Sequence, residues 1–460
     1  MYASPEWQAL LPYFGALDTR YLLEGPMPAA LGSSDRHWPA AAAFAWAGDV
    51  VVVGECTRRR EMDLMLRILE ATAQQGQSVL YLSVGDEEHE RMQALCGSRA
   101  WTDQVAFAVV PTVEDPTFQE ALRAQAEGDW KLLRHVIAQE GGFLDAEGLE
   151  EVWSIAHAKT QWARLSEGMQ FRTAITRTTY LPLSAAILGA CVLTDHLTVS
   201  LQHSVVTCPA SFVPIAAKRL LCFGATSRDL LARLDEEVAR AAGRMRICED
   251  LVSAGSLLDP IPTLEDGRRH GTVLVVDQTS GWVQRYFGGT SEHFDAPRDA
   301  VRNLCERSHT FERVVIRYHP QYDATGFWRP LLDEYPGLVT AADPGRSLEE
   351  DLATASVAVG LFSTGLPVAA AAGVPAFFLW KPEWYFTPDL APFAPELFVG
   401  PDALAGCVDA LLGDSAAYGE ARRRGRALAA RYFEGAKMCD FGPTLMRRVL
   451  GLAPLGPHQR

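Results

Sequence analysis

Short runs of β-branched and other apolar residues alternate with amphipathic segments along most of this chain, and this alternation limits its fold more than any other feature. Such runs are typical of buried strands, and the segments between them have the apolar spacing of helices. Strands and helices that alternate predict βα units and a parallel sheet. The predicted strands are 49–55, 78–85, 105–110, 172–176, 197–203 and 218–224 in the first half, and 272–277, 313–319, 338–342, 357–362 and 374–380 in the second.

A change of composition separates these two groups of strands. Residues 256–270 are rich in proline, glycine and charged residues, as linkers are. The chain has 460 residues, more than a single hydrophobic core usually serves. We therefore predict two Rossmann-like, doubly wound α/β domains that face each other across a cleft. The expected limits are 1–255 with a helical insertion near 116–170, then 271–415, and then C-terminal helices at 416–460 that pack back across both domains.

Charge and cysteine usage exclude several classes of function. The net charge of −15 disfavours a nucleic acid partner, because neutralising phosphates requires a basic surface. The nine cysteines include no CxxC pair and are odd in number, which indicates a reducing compartment rather than a disulfide framework. The basic triplet Arg58-Arg59-Arg60 is interpreted as a solvated helix face.

The sequence also predicts where in the cell the protein is located. No basic start followed by an apolar core is found at the first residues, so no signal peptide is predicted. The longest apolar stretch, 180–194, is too short to span a bilayer. We expect a cytoplasmic protein, and peripheral contact with the inner membrane stays open.

Two strand ends in the second half carry residues that suit an anion site. The strand 313–319 ends at His319, whose imidazole could donate to a phosphate oxygen at the sheet edge. The predicted strand 357–362 is connected to a small-residue helix by Ser363, Thr364 and Gly365. Hydroxyls and backbone amides at such a helix start can bind an anion. Each feature alone is equally compatible with a helix cap or a loop contact. Together they predict a phosphate site.

Two further residues could line that phosphate from the other side. Thr279 and Ser280 follow the strand 272–277 and would reach the same carboxyl edge. An ordinary polar turn explains them equally well. The chain contains no DxD motif and no His and carboxylate spacing typical of a divalent cation, so we predict neither a metal nor a cofactor.

The motifs resemble those of bacterial GT-B glycosyltransferases that build capsules and related surface polymers, among them polysialyltransferases, sialyltransferases and Kdo transferases. Those enzymes carry a His-Pro dipeptide and a later Ser-Ser or Ser-Thr pair that hold the nucleotide phosphate of the donor. The matching positions here are His319-Pro320 and Ser363-Thr364. Segments similar to motifs near the end of their first domain follow in the same order, at 199–209, 216–231 and 251–259. The resemblance implies a metal-independent transferase with a nucleotide-sugar donor.

The chain departs from that pattern at two places. Ser204 replaces the usual glycine after Gln202-His203. Pro367 and Val368 stand where many UDP-sugar enzymes of this fold have a ribose-binding glutamate. The second departure favours a CMP-linked donor, of the sialic acid or Kdo type, over a UDP- or CDP-linked one. In related folds the loop at Asp343 and Pro344 contacts the nucleotide base, which makes these two residues candidates for base or ribose binding.

A transferase also needs a general base that deprotonates the acceptor hydroxyl. Glu55 ends the first predicted strand and is our preferred candidate, with Asp86 and His203 as alternatives. His319 is a further catalytic candidate through stabilisation of the departing phosphate.

The sequence therefore predicts a glycosyltransferase that moves a sugar from a CMP-linked donor to a glycan or glycolipid acceptor in bacterial surface polysaccharide biosynthesis. Two groups of alternatives stay open. One is a UDP-sugar-dependent transferase or a sugar-nucleotide epimerase of the same two-domain shape. The other is a non-catalytic nucleotide- or glycan-binding partner in polysaccharide assembly.

Overall fold

The computed structural model describes most of the chain between residues 45 and 453. The gaps within that range are 98, 111–115, 141–145, 180, 192–193, 203, 205–212, 214, 242–245, 259, 265–270, 278–290, 320–324, 362, 382–389 and 391–393.

The first half of the described chain builds a seven-stranded parallel sheet. Its strands and a short outlying pair are β1 (Trp46–Ala47), β2 (Val50–Val53), β3 (Val79–Ser83), β4 (Val105–Val109), β5 (Met169–Gln170), β6 (Thr173–Thr176), β7 (Leu197–Leu201), β8 (Arg219–Cys222) and β9 (Asp250–Ser253). The sheet order is β4-β3-β2-β6-β7-β8-β9, and β1 pairs with β5 beside it. The helices are α1 (Arg59–Ala73), α2 (Asp86–Cys96), α3 (Pro116–Glu140), α4 (Ala146–Ser166), α5 (Pro182–Cys191) and α6 (Ala225–Ala241).

The second half repeats this construction with six parallel strands among its described residues. They are β10 (Thr272–Val276), β11 (Arg313–Arg317), β12 (Val339–Ala341), β13 (Val357–Gly360), β14 (Ala376–Leu379) and β15 (Phe398–Val399), in the order β12-β11-β10-β13-β14-β15. The helices are α7 (Ser291–Arg307), α8 (Thr325–Glu334), α9 (Leu348–Leu352), α10 (Gly365–Ala372), α11 (Leu404–Gly413), α12 (Ser415–Tyr432) and α13 (Pro443–Val449). None of the described helices combines the length and the apolar character needed to cross a membrane.

Each sheet is covered by helices on both faces. Successive residues of a strand point to opposite faces, so each strand contributes to the apolar clusters on both sides. In β2, Val50 and Val52 join the apolar cluster that contains the inner side of α1, whereas Val51 and Val53 join the cluster beneath α4 and α5. The central strand β10 divides in the same way between α7 and α10. The predicted pair of doubly wound α/β sheets is confirmed.

The strand order fixes where each sheet offers a binding edge. In both sheets the strand that comes first in the chain, β2 or β10, lies in the interior of the sheet. The next two strands are added on one side of it, and the later strands on the opposite side. The reversal falls between β2 and β6 in the first sheet and between β10 and β13 in the second. Ligands of open α/β sheets bind outside the carboxyl ends of the strands at this switch point.

The C-terminal chain packs back onto the first domain. The backbone of Ser256 exchanges hydrogen bonds with the segment after α12, donating to the carbonyl of Lys437 at 2.9 Å and accepting from the amide of Cys439 at 2.8 Å. The guanidinium of Arg67, on α1, donates to the carbonyl of Cys439 at 2.8 Å. One hydrophobic cluster includes residues of both sheets together with this segment.

We expect Gly224→Ala to lower the free energy of unfolding by about 1–3 kcal/mol, the usual cost of overpacking a filled site. A Cβ at this position would lie 2.5 Å from the carbonyl oxygens of Arg431 and Tyr432, where α12 ends against the first domain. Chemical denaturation measures the change. The control is Gly128→Ala on the exposed face of α3, where a Cβ meets nothing within 4 Å and stability should rise slightly. Equal effects of the two substitutions would contradict this packing.

Candidate functional site

Two candidate residues of the second domain, His319 and Ser363, lie at the same edge of its sheet, where the strands end. Val276 pairs with Arg317 on one side and Gly360 on the other, so His319 and Ser363 both emerge at the carboxyl end of β10. Because β10 lies between their strands, these strands are two spacings apart, roughly 10 Å. Asp277, the buried residue that follows β10, stands between the two.

The turn from β13 into α10 is shaped by two glycines that approach β10. A Cβ on Gly360 would lie 2.7 Å from the carbonyl oxygen of Val276, and one on Gly365 would lie 3.2 Å from the Val276 side chain. The hydroxyl of Ser363 accepts a hydrogen bond from the amide of Gly365, the first residue of α10, at 3.2 Å. Its own proton stays able to donate to an anion. Ser363 is buried and Thr364 is half-buried.

Charges from the first domain act on His319. Burial and, to a smaller extent, the positive charges of Arg58 and Arg60 together lower the pKa of this half-buried imidazole to about 4. The ring is therefore neutral at pH 7 and donates through one N–H. The interpretation of the basic triplet as a solvated face holds only for Arg59, which is exposed and pairs with Asp63 at 3.0 Å. Arg58 and Arg60 are half-buried.

A buried ion pair holds the turn that carries these arginines. Arg177, which follows β6, donates to a carboxylate oxygen of Glu61 at 3.0 Å and to the carbonyl of Glu55 at 2.8 Å. The other oxygen of Glu61 accepts from the backbone amides of Thr57 at 2.9 Å and Arg58 at 3.2 Å. The exposed fractions of Arg177 and Glu61 are 7% and 4%. The pair thereby ties together the two strands of the first switch point.

Glu55 was expected to end the strand but lies two residues beyond β2, which ends at Val53, and its carboxylate caps another helix. It accepts hydrogen bonds from the amides of Leu183 and Ser184, both at 2.8 Å, and from the Ser184 hydroxyl at 2.5 Å. Its backbone has a φ of 51°, a conformation unusual for a residue with a side chain. Burial raises the pKa of this carboxyl group above its usual range. To act as a base, Glu55 would have to release the N-terminus of α5.

The remaining residues that the sequence analysis singled out lie in different parts of the two domains. Gln202 is buried and links β7 to the end of β8, accepting from the Phe223 amide at 2.9 Å. Asp86 is the exposed first residue of α2. Asp343 and Pro344 form an exposed turn beyond β12, in which the Asp343 carboxylate accepts from the Gly345 amide at 2.8 Å. His203, Thr279, Ser280 and Pro320 lie outside the described residues.

Comparison with known proteins finds similarity only among solved structures. No family model and no curated protein matches the chain. A ugt transferase from Siraitia grosvenorii in complex with UDP is similar at 11% identity over 88% of this chain and 99% of that chain, with a TM-score of 0.49. A glycosyltransferase from Rickettsia africae is similar at 10% identity over 88% and 96%, with a TM-score of 0.47.

MurG from Acinetobacter baumannii is also similar, at 12% identity over 82% of this chain and 94% of that chain, with a TM-score of 0.43. At these identities and TM-scores, the similarity does not reveal an activity. Function must be argued from the residues of the chain itself.

We expect Glu55→Ala to lower the free energy of unfolding by about 1–2 kcal/mol, because α5 loses its cap. Glu55→Gly also removes the cap but relieves the left-handed backbone, so it should cost about 1 kcal/mol less than the alanine variant. Chemical denaturation of both variants measures the difference. Wild-type stability of Glu55→Ala would show that the capping contacts contribute nothing.

The lowered pKa of His319 predicts that acid weakens the fold. Since the unfolded imidazole binds a proton below about pH 6.5 and the folded one only near pH 4, stability falls as the pH drops through this window. Between pH 7 and pH 5, wild type should lose about 1–2 kcal/mol more than His319→Gln. His157 has a similarly low pKa but is present in both proteins, so the difference isolates His319. NMR titration of the ring gives the pKa directly, and a value near 6.5 would refute the assignment.

Proposed function

We propose that the chain is a nucleotide-sugar-dependent glycosyltransferase of the GT-B type whose second domain holds the phosphates of the donor. The observation that carries the proposal is the turn Ser363-Thr364-Gly365, which starts α10 at the switch point of the second sheet. His319 leaves the same edge on the other side of β10. The arrangement supplies hydroxyl and imidazole donors at the place where open α/β sheets bind ligands.

In this proposal the donor groups of the second domain stabilise the negative charge of the leaving nucleotide. When the bond from the sugar to the nucleotide breaks, negative charge develops on the departing phosphate. The hydroxyls of Ser363 and Thr364 and the N–H of His319 would donate to that charge. Preorganised donors stabilise such charge better than water, because they need no reorientation during the reaction. In this proposal, transfer therefore depends on fixed hydrogen-bond donors.

The spacing of the donors favours a diphosphate. His319 and α10 start from strands about 10 Å apart, and a diphosphate has more oxygens than a single phosphate with which to contact both. We propose a nucleoside diphosphate sugar, such as a UDP-linked one. Pro367 and Val368 are both buried in α10 and put no polar side chain at the place of a ribose-binding glutamate. On that ground we keep the CMP-linked donor as the competing identity. The acceptor, a glycan or glycolipid, would face the edge of the first sheet.

One observation favours a second candidate function. The carboxylate of Glu55 is engaged by α5, and removing it from this helix would cost the cap. A chain that binds a nucleotide without transferring sugar would not need this carboxylate as a base. Non-catalytic nucleotide binding is therefore the alternative that an activity assay must separate.

Nucleotide binding tests the proposal. We expect UDP to bind and to raise the melting temperature, and the double variant Ser363→Ala/Thr364→Ala and the single variant His319→Ala to weaken UDP binding about tenfold or more through lost donors. Calorimetry with CMP, CDP, UDP and GDP ranks the donors. Ser308→Ala is the control, because its hydroxyl bonds Asp409 before β11, at the opposite edge of the sheet.

The outcomes separate the candidate functions. Failure of every nucleotide to bind the wild type would sink the donor site. UDP binding without release of UDP from any sugar donor or transfer to glycan acceptors would favour the non-catalytic function. Tighter binding of CMP than of UDP would reinstate the CMP-linked donor.

A further inference from the structure

We propose that Asp351 is a positioning residue of the donor site, because its buried carboxylate holds the two arginines that connect the end of β11 with the turn before α9. These arginines are Arg317 and Arg346. The inference rests on the proposed function of the second domain and deepens it, since it names a residue on which the affinity for a nucleotide depends. Asp351 acts through its two partners and does not itself contact the donor.

The carboxylate of Asp351 is buried between its two partners. Its Oδ2 accepts a hydrogen bond from Nη1 of Arg317 at 2.6 Å, and its Oδ1 lies 3.3 Å from Nε of Arg346. The exposed fraction of Asp351 is 3%. Burying charges costs free energy that their attraction offsets only in good geometry, and apolar residues of similar volume often stabilise a fold equally well. Stability alone is therefore a poor explanation of this cluster.

Arg317 lies beside the turn that starts α10. It is the last residue of β11 and pairs in register with Val276 of β10. Val276 packs into the same apolar cluster as Val315, two residues before Arg317, so the Arg317 side chain leaves the same face of the sheet. A Cβ on Gly365 would lie 3.2 Å from Cγ1 of Val276. One strand spacing, about 5 Å, thus separates Arg317 from the residue that lines the donor turn.

Arg346 lies in the turn between β12 and α9. Its carbonyl accepts a hydrogen bond from the same Nη1 of Arg317 at 3.0 Å, and its own Nη2 donates to the carbonyl of Glu350 at 2.5 Å. Leu348, the first residue of α9, reaches the donor turn, because its Cδ2 lies 3.5 Å from the position of a Cβ on Gly365. The ion-pair cluster therefore joins the end of β11, the turn after β12 and, through α9, the start of α10.

The relative position of these segments matters for a nucleotide that spans them. The turn after β12 contains Asp343 and Pro344, our candidates for contacts with the base or ribose, and His319 follows two residues after Arg317. Segments that are ordered before binding lose less conformational entropy when a ligand arrives. Without Asp351 the ligand would have to order these segments itself, so its affinity would fall.

The direction of the effect distinguishes positioning from simple electrostatics. A carboxylate near a phosphate site repels an anion, so removal of its charge alone would tighten nucleotide binding. If Asp351 positions the site, removal of the same charge weakens nucleotide binding instead. The two roles thus predict opposite changes in affinity.

Calorimetry with UDP tests this prediction in the full-length chain. We expect Asp351→Asn, which keeps the shape of the side chain, to weaken UDP binding about tenfold or more. Asp351→Glu keeps the charge between the arginines and should bind UDP more tightly than Asp351→Asn does. Asp333→Asn is the matched control, because Asp333 pairs with Arg329 at 3.4 Å on the exposed face of α8. It removes the same charge and should change the affinity by no more than about twofold.

A double variant separates positioning from folding. Arg317→Met/Asp351→Leu replaces the buried pair with apolar side chains and leaves the net charge of the chain unchanged. We expect its free energy of unfolding, measured by chemical denaturation, to stay close to that of the wild type. Its UDP affinity should still be about tenfold lower or more. Wild-type affinity for UDP in this variant would overturn the positioning role.

Hydrogen exchange of peptides from 342–356 gives a readout that needs no nucleotide. These peptides should exchange faster in Asp351→Asn than in the wild type, and at the wild-type rate in Asp333→Asn. If no nucleotide binds the wild type, the donor site fails, but faster exchange in Asp351→Asn would still show that Asp351 holds the turn. If UDP binds the wild type and Asp351→Asn binds it equally well or more tightly, the positioning role fails alone. Unchanged exchange in Asp351→Asn would likewise overturn it.

Discussion

The return of the C-terminal chain to the first domain is the contact on which the candidate site depends. In the proposed function the donor binds at the second sheet and the acceptor faces the first, so sugar transfer requires a fixed relation between these sheets. The helix α12 packs on α10, with Gly425 against Ala370, and its end packs against Gly224 of the first domain. Beyond it, the backbone pairing with Ser256 continues the attachment. A single stretch of chain thus contacts both the donor helix and the opposite domain.

The proposed donor site would let an acidic protein recruit an anionic ligand. The net charge of −15 acts against nucleic acids and other extended polyanions. At the carboxyl edge of the second sheet, however, the hydroxyls of Ser363 and Thr364 and the neutral imidazole of His319 would act on a ligand at hydrogen-bond distance. Local donors prevail at that distance, because salt screens the charges of the rest of the surface beyond about 8–10 Å. The overall composition therefore excludes one class of phosphate ligand without excluding a small one.

The sequence predicted the sheets well because their strands are buried on both faces. The runs at 272–277 and 357–362 contain β10 and β13, and the small-residue helix begins at Gly365 as expected. Burial on both faces leaves a continuous apolar run that is visible without a structure. The expectation that Ser363 and His319 stand at strand ends was correct for the same reason.

What the sequence could not predict depends on contacts between distant segments. Glu55 was expected near a strand end, but its contact with α5 was not expected. The first contact residue, Leu183, lies 128 residues later in the chain. The sequence of α5 is almost uniformly apolar and has no helical periodicity that would predict a helix there. The division of the half-buried Arg58 and Arg60 from the exposed Arg59 depends on packing around the start of α1. A run of three arginines carries no signal of that division.

The occupied N-terminus of α5 has a consequence for the number of ligands. Two halves with the same strand order would suggest two equivalent nucleotide pockets, one at the switch point of each sheet. In the first half the carboxylate of Glu55 already binds the helix N-terminus at this position, whereas the second half presents the hydroxyls of Ser363 and Thr364 there. One side chain thereby breaks the symmetry of the repeated architecture and sets the expected stoichiometry at a single nucleotide per polypeptide.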